Sequence, residues 1–254
     1  MSNSAESSGP PTESLARRRH AWRVPREEAA SIQRDLASLV VLQPLPAEGP
    51  GSPRFAAGAD VAYSPDSVRA WAAAVVMDRR LRVVAVNVVE GEPDNVYATG
   101  FLAFREGRLA LQALEGLEIR PDLLFCDGHG VVHERGLGLA SHLGVLLDVP
   151  SIGVPKTPYH SIDHDPGLER GEYYVLAKEW GAEGAAVRLK RGVKPVYVSP
   201  GHLVDLDSAL ALSLAWSTGK HRVPDPLAEA HTLSTLARRR GCHRADVEAD
   251  GEGS

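Results

Sequence analysis

Apolar residues occur along this chain either at helical spacing or in short continuous runs. These two patterns predict where helices and strands lie along the chain. Residues 25–40 begin with a proline and two glutamates and then place apolar side chains at helical spacing, which predicts an amphipathic helix. Apolar, β-branched runs bounded by turn residues predict strands. The predicted strands cover 55–63, 71–78, 82–89, 123–127, 151–154, 172–176, 185–189 and 195–198. The other predicted helices cover about 105–117, 137–147, 205–216 and 227–240.

The order of these elements predicts the architecture. Three consecutive strands, a helix and then alternating strands and helices favour a mixed α/β sheet with helices on both faces, the ribonuclease H-like arrangement. In that arrangement the first and fourth strands lie side by side. Asp60, in the middle of the first strand, would then meet Asp127, at the end of the fourth.

Length and composition indicate one globular domain with polar ends. The 254 residues are 43% hydrophobic and 24% charged, enough for one substantial core. We expect a disordered leader over residues 1–18, a globular domain over 19–243 and an acidic disordered tail over 244–254. No apolar run resembles a signal peptide or a membrane span. The two cysteines, Cys126 and Cys242, are too few for a disulfide framework or a zinc cage, which favours the reducing cytoplasm.

The net charge of −5 is unusual for a protein that binds nucleic acid, so its distribution matters. Several acids lie in the two ends of the chain, and the body between them is close to neutral. Basic clusters in the body can follow a phosphate backbone, although a solvated surface is the simpler explanation of each cluster alone. The clusters are Arg17-Arg18-Arg19, Lys190-Arg191 with Lys194, Lys220-His221-Arg222 and Arg238-Arg239-Arg240.

Two acids stand where burial makes a carboxylate costly. Asp60 lies within the apolar run Phe-Ala-Ala-Gly-Ala-Asp-Val-Ala-Tyr, and Asp127 ends Leu-Leu-Phe-Cys-Asp. A buried carboxylate needs a cation or a partner, and hard cations held by carboxylates support phosphodiester hydrolysis. A turn-capping aspartate explains either residue alone, but the pair favours a metal site. Glu106 could add a third oxygen, or it could be a first-turn glutamate favoured by the helix dipole.

The segment after Asp127 reads Gly-His-Gly-Val-Val-His and matches no dinucleotide or P-loop fingerprint. Its glycines would let a flat base approach the backbone, or they would simply form a tight strand-to-helix turn. His129 and His133 are weak candidates for metal ligands, because hard magnesium prefers oxygen. Lys156 could contact the scissile phosphate or orient a water, although a surface lysine is the default interpretation.

Six sequence blocks resemble, in order, the signature blocks of the endonuclease V family, and the resemblance covers about residues 20–240. The blocks are Gly58-Ala-Asp60-Val-Ala-Tyr63, Gly100-Phe-Leu-Ala-Phe-Arg-Glu106-Gly107, Asp127-Gly-His-Gly130, Leu137-Gly-Leu-Ala-Ser-His142-Leu-Gly144, Ile152-Gly-Val-Pro-Lys156 and Ser199-Pro-Gly-His202. The resemblance implies a ribonuclease H-like fold and dependence on Mg²⁺, with Mn²⁺ as a substitute. It also implies cutting at the second phosphodiester bond 3′ to inosine, leaving 3′-hydroxyl and 5′-phosphate ends.

The resemblance also implies residue roles. Metal-site acids would be Asp60, Glu106 and Asp127, with Lys156 as the nearby catalytic cation and His231 as a histidine close to the metal. Tyr97 would be the aromatic of a wedge that fills the gap left by the extruded base. The base pocket would be lined by Gly100, Leu102, Gly128, Gly130 and Leu139.

The wedge departs from the family pattern. The family usually shows Pro-Tyr-Ile-Pro, whereas this chain has Val96-Tyr97-Ala98-Thr99. The aromatic is kept and both stiffening prolines are lost, which puts the rigidity of the wedge and the discrimination between duplex and single strand in question.

Two other functions stay open at this point. One is another nuclease of the same scaffold, such as a ribonuclease H or the nuclease half of an excision enzyme. The other is a non-catalytic nucleic-acid-binding protein whose acids only cap strands. We expect a monomer that acts on inosine-containing strands away from membranes, and the sequence leaves open whether DNA or RNA is the physiological substrate.

Overall fold

The structure is a computed structural model of the chain and describes residues 19–95, 97–159, 164–176 and 183–241. Within these ranges, eight strands form one mixed sheet and five helices cover it. The predicted leader (1–18) and acidic tail (244–254) lie outside the described residues, as do Val96 and Cys242.

The elements follow the order that the sequence predicts. The strands are β1 Phe55–Tyr63, β2 Ala70–Asp78, β3 Val83–Gly91, β4 Leu123–Cys126, β5 Ser151–Gly153, β6 Tyr173–Val175, β7 Ala185–Val187 and β8 Val196–His202. The helices are α1 Arg26–Ala37, α2 Ala103–Glu115, α3 Leu139–Leu147, α4 Leu206–Ala215 and α5 Asp225–Arg240. None of these described helices combines the length and the apolar character needed to cross a membrane.

The sheet order is β3-β2-β1-β4-β5-β8-β7-β6, with β1 antiparallel to β2 and parallel to β4. This confirms the predicted meander and the predicted neighbourhood of the first and fourth strands. Ala59 of β1 pairs with Cys126 of β4. Asp60 comes next in β1 and Asp127 directly follows β4, so the two candidate acids stand level at the same edge of the sheet.

The two faces of β1 belong to two apolar layers. Ala57 and Ala59 pack with α2 and α3, whereas Ala56 belongs to the layer that α4 and α5 cover. Because side chains alternate along a strand, Gly58 and Asp60 share the face of Ala56. At Gly58 an added Cβ would lie 2.1 Å from the Pro226 carbonyl oxygen, so this glycine lets α5 reach the sheet.

Two predicted boundaries were wrong by three residues or more. Helix α1 ends at Ala37 rather than at residue 40, because Val41 is held by β8: the Leu203 amide donates to its carbonyl at 2.7 Å. Strand β8 continues to His202 rather than ending at 198, although it contains a proline and a glycine. Pro200 lacks an N–H, but its carbonyl accepts a bond from the Val131 amide at 2.7 Å, so the strand is paired there on its carbonyl side.

A histidine in the core is held by the segment that precedes α1. His142 of α3 is fully buried, with its ring stacked on Trp22 at 5.1 Å between centroids. Its Nε2 lies 2.6 Å from Nε2 of His20, so one imidazole must donate and the other accept. Burial lowers the pKa of His142 well below its usual value, and the neighbouring imidazoles of His20 and His133 add to this effect.

This burial predicts acid sensitivity of the fold. The unfolded chain takes up a proton at His142 near pH 6.5, whereas the folded chain does not, so the free energy of unfolding should fall as pH drops below about 6.5. We expect a loss of about 1 kcal/mol from this group between pH 7 and 5.5. Urea unfolding at both pH values measures the loss, and His142→Phe should reduce it. An equal loss in the variant would assign the acid sensitivity to other groups.

Candidate active site

Asp60 is held by two side chains of α5. Its carboxylate is 8% exposed and accepts a hydrogen bond from Ser234 Oγ at 2.5 Å. Nδ1 of His231, one helical turn earlier, lies 3.2 Å from the same oxygen. The hydrogen bond to Asp60 raises the pKa of His231, while the His231 side chain remains 56% exposed. A proton on His231 is therefore stabilised where solvent or a ligand can reach the ring.

Glu106 lies in the first turn of α2 and is buried. The Tyr63 hydroxyl donates to its carboxylate at 2.7 Å, and the Arg105 guanidinium lies 4.4 Å from the centre of the Tyr63 ring. Burial raises the pKa of Glu106 to about 8; the negative charges of Asp60 and Asp127 add to this, while the Tyr63 hydrogen bond opposes it. Burial and the two neighbouring carboxylates therefore both disfavour the charged form of Glu106.

Asp127 directly follows β4 and forms an ion pair with Lys156, which follows β5. Because β4 and β5 are parallel neighbours, both residues emerge at the same edge of the sheet. Both side chains are about one-third exposed or less, so the pair sits at the mouth of the site rather than in the core.

The three carboxylates line one cavity of about 250 Å³ together with apolar side chains and Cys126. Each carboxylate is turned toward a protein donor, and no three His, Cys, Asp or Glu side chains within the described ranges converge on one point as metal ligands. A bound cation would thus take over bonds that Ser234, Tyr63 and Lys156 now make.

The chemistry of this cavity fits a hard divalent cation. Its charged donors are carboxylate oxygens, which such cations prefer. Burial and the neighbouring carboxylates raise the pKa of Glu106, and a bound cation would stabilise its charged form. Burial raises the pKa of the Cys126 thiol, so it stays neutral and offers no thiolate to softer metals.

A second cavity of about 360 Å³ adjoins the first and shares Leu102, Asp127 and Leu139 with it. Its size falls within the usual range of small-molecule sites, about 300–1,000 Å³. Most of the residues predicted for the base pocket and wedge line it, namely Tyr97, Gly100, Leu102, Gly128 and Leu139. Gly130 does not, because its backbone packs on β8, where an added Cβ would lie 1.9 Å from the Pro200 carbonyl oxygen.

One backbone carbonyl on the rim of this second cavity gathers three side chains. The Gly100 oxygen lies 2.8 Å from a guanidinium nitrogen of Arg135, 3.0 Å from Nε2 of Gln33 and 3.0 Å from Nε2 of His133. Burial lowers the pKa of His133 to about 4, so this ring is neutral. The three side chains thus hold the Gly100 carbonyl and fix one end of the segment that carries Tyr97. The Tyr97 side chain itself is 60% exposed.

Sequence reasoning missed several residues of the site. Gln33 carried a signal, because it is a polar residue on the otherwise apolar face of α1. Ser234 and Tyr63 carried none, since a serine inside a helix and a tyrosine at a strand end are ordinary residues. His133 was considered only as a metal ligand, whereas the structure places it against the Gly100 carbonyl.

The fold and this cavity together define a class of protein. A mixed sheet of ribonuclease H-like order, with carboxylates from adjacent strands and a lysine beside them, is the arrangement of a nuclease that hydrolyses phosphodiester bonds. The family model described as Endonuclease V matches residues 34–232 of the chain. The chain belongs to the endonuclease V family, whose members are nucleases that typically need a divalent metal.

Individual relatives agree with this assignment. Endonuclease V of Streptomyces avermitilis is 44% identical over 229 residues, which cover 90% of this chain and 95% of that one. The crystal structure of the same relative superposes with a TM-score of 0.79 at 43% identity, covering 87% and 96% of the two chains. Endonuclease V of Ciona intestinalis, solved with a 23-mer DNA containing an inosine, is 26% identical and gives a TM-score of 0.72 over 85% and 97% of the chains.

Proposed function

We propose that this protein cuts inosine-containing strands at the second phosphodiester bond 3′ to the inosine, leaving 3′-hydroxyl and 5′-phosphate ends. The observation that carries the proposal is that a cavity of nucleobase size and a carboxylate cavity share Asp127. A base held in the second cavity would place a nearby phosphate, rather than its own, beside the carboxylates of the first cavity. We assign the activity to a monomeric catalytic domain over residues 19–243 that acts in the cytoplasm.

The second cavity would receive the base. Inosine pairs weakly, so extruding it from a duplex costs little, and glycines at 100 and 128 allow the flat base to contact the backbone. Leu102 and Leu139 supply apolar surface against its faces. The exposed Tyr97 ring would fill the gap in the base stack.

Asp60, Glu106 and Asp127 would hold Mg²⁺, or Mn²⁺ in its place. When bound, the metal supplies charge stabilisation at the phosphate and a more acidic water. Lys156, released from its ion pair with Asp127, would then direct its ammonium group to the scissile phosphate. His231, whose raised pKa favours the charged form, would keep a proton close to the same point.

Matched oligonucleotides test the proposed specificity. A labelled strand with one inosine and the same strand with adenine should be compared as DNA and as RNA, with Mg²⁺, with Mn²⁺ and with a chelator. We expect cleavage of the inosine strand only, and only with metal. Cleavage of an RNA–DNA hybrid without inosine would instead indicate a ribonuclease H, and no scission with either metal would indicate a binding protein.

The Tyr97→Ala variant tests the wedge. Stacking of an aromatic on a base contributes about 1–3 kcal/mol, so the variant should bind inosine-containing duplex roughly ten- to a hundredfold more weakly. A single strand has less stacking to replace and should lose less. Titration of both substrates without added metal, where the strands stay uncut, measures the two affinities. Equal losses on both would assign Tyr97 to the pocket wall or to folding, and no loss would show that this segment is not a wedge.

A further inference from the structure

The side chain of Arg222 is bonded to backbone carbonyls and is partly buried. One of its terminal guanidinium nitrogens lies 2.7 Å from the Lys156 carbonyl oxygen and 2.6 Å from the Pro195 carbonyl oxygen. Its Nε donates to the Lys194 carbonyl at 3.0 Å. The sequence placed Arg222 in a basic cluster that could follow phosphates, but the structure turns its guanidinium inward.

These carbonyls belong to two segments that meet beside the active site. Lys156 lies in the segment that leaves β5, and residues 194–195 lead into β8. A backbone bond from the Tyr197 amide to the Pro155 carbonyl, at 3.0 Å, joins the same two segments. Arg222 comes from a third segment, between α4 and α5, and is partly buried. It therefore fixes the backbone of Lys156 from outside the site.

Lys156, whose backbone carbonyl Arg222 holds, is the residue whose ammonium group forms the ion pair with Asp127. A long, flexible lysine side chain points reproducibly only when its backbone is fixed, and small displacements of a catalytic group reduce rates strongly. We propose that Arg222 is a positioning residue for Lys156, acting on the chemical step through the Lys156 carbonyl. The inference rests on the proposed function of Lys156 at the scissile phosphate.

An arginine suits this role better than a lysine. Its planar guanidinium presents several N–H groups in fixed directions, so one side chain can bond carbonyls on two segments at once. The side chain of lysine is shorter, and its ammonium group cannot place N–H groups in these directions. The variant Arg222→Lys therefore keeps the charge and removes the geometry, which separates positioning from electrostatic attraction to nucleic acid.

The first experiment measures kcat and KM for Arg222→Ala and Arg222→Lys on an inosine-containing strand. We expect kcat to fall roughly ten- to a hundredfold in both variants, since misplacement of a catalytic group costs up to about a hundredfold, while KM changes little. Arg80→Ala, an exposed arginine in the β2–β3 turn, is the matched control and should leave both constants unchanged. A raised KM with a weaker salt dependence would mean that Arg222 contacts phosphate, and it would overturn the proposal.

A double-mutant cycle with Lys156→Ala tests whether the effect passes through Lys156. We expect Arg222→Ala to lower kcat in the unaltered protein and to have little further effect when Lys156 is already alanine. Additive losses would overturn the proposal while leaving the role of Lys156 intact. Full activity of Lys156→Ala would instead refute the proposed function of Lys156, so the two failures are distinguishable. Circular dichroism gives the folded fraction of each variant, and a loss of activity that matches a loss of folded protein would assign Arg222 to folding alone.

Discussion

Replacing Asp127 or Asp60 by alanine is expected to lower the cleavage rate roughly a thousandfold or more. Metal-ion catalysis contributes several kcal/mol, and about 1.4 kcal/mol corresponds to a factor of ten in rate. Binding of an inosine-containing strand should change only a few-fold, because these carboxylates would hold the metal rather than the phosphates. Single-turnover cleavage at saturating Mg²⁺ and equilibrium binding without metal, where the strand stays uncut, measure the two effects.

Asp207→Ala is the control for that experiment, because Asp207 is an exposed aspartate in the first turn of α4. Asp127→Asn adds a second test, since it keeps the shape of the side chain and removes its charge. Normal cleavage by Asp60→Ala or Asp127→Ala at ordinary Mg²⁺ would remove that residue from the metal site.

The second prediction with a large expected effect concerns the stability of the fold. Gly58→Ala should lower the free energy of unfolding by about 3 kcal/mol or more, because the new Cβ would lie 2.1 Å from the backbone oxygen of Pro226. Backbone atoms cannot rotate away as a flexible side chain can. Relief requires α5 to shift from β1, and α5 also carries His231 and Ser234 to Asp60. Cleavage by the folded fraction should therefore fall as well.

Gly192→Ala provides the matched control for Gly58→Ala. Gly192 has open space around the position of a Cβ but a φ of +68°, so alanine there should cost only about 1–2 kcal/mol of backbone strain. Urea unfolding of both variants gives the difference directly. Equal costs at the two sites would show that the contact between β1 and α5 is looser than the structure indicates.

The sequence predicted the elements and the acids because each rests on a local pattern. Strand β1 matches its predicted range from residue 55 to residue 63, since a short run of small apolar residues bounded by turn residues predicts a buried strand. Asp60 was identifiable because it interrupts that run. Asp127 was identifiable because it ends a buried run, and the parallel pairing of β1 and β4 places the two acids level.

What the sequence could not predict depends on contacts between distant segments. The bond from Ser234 to Asp60 spans 174 positions along the chain, and nothing local distinguishes this serine from any other in a helix. The guanidinium of Arg222 was expected at the surface, because its neighbours Lys220 and His221 form a basic run with it. Only the tertiary structure shows that it bonds the carbonyl of Lys156.

The position of the cut tests the central claim most directly, because it measures the spacing between the base cavity and the carboxylates. End-labelled strands that differ only in the location of one inosine are cut in the presence of Mg²⁺ and sized at single-nucleotide resolution. The account predicts that the labelled 5′ fragment ends in a 3′-hydroxyl one nucleotide beyond the inosine, and that the cut shifts by one nucleotide whenever the inosine does. Cuts at fixed positions that ignore the inosine, or cuts at the inosine itself, would contradict it.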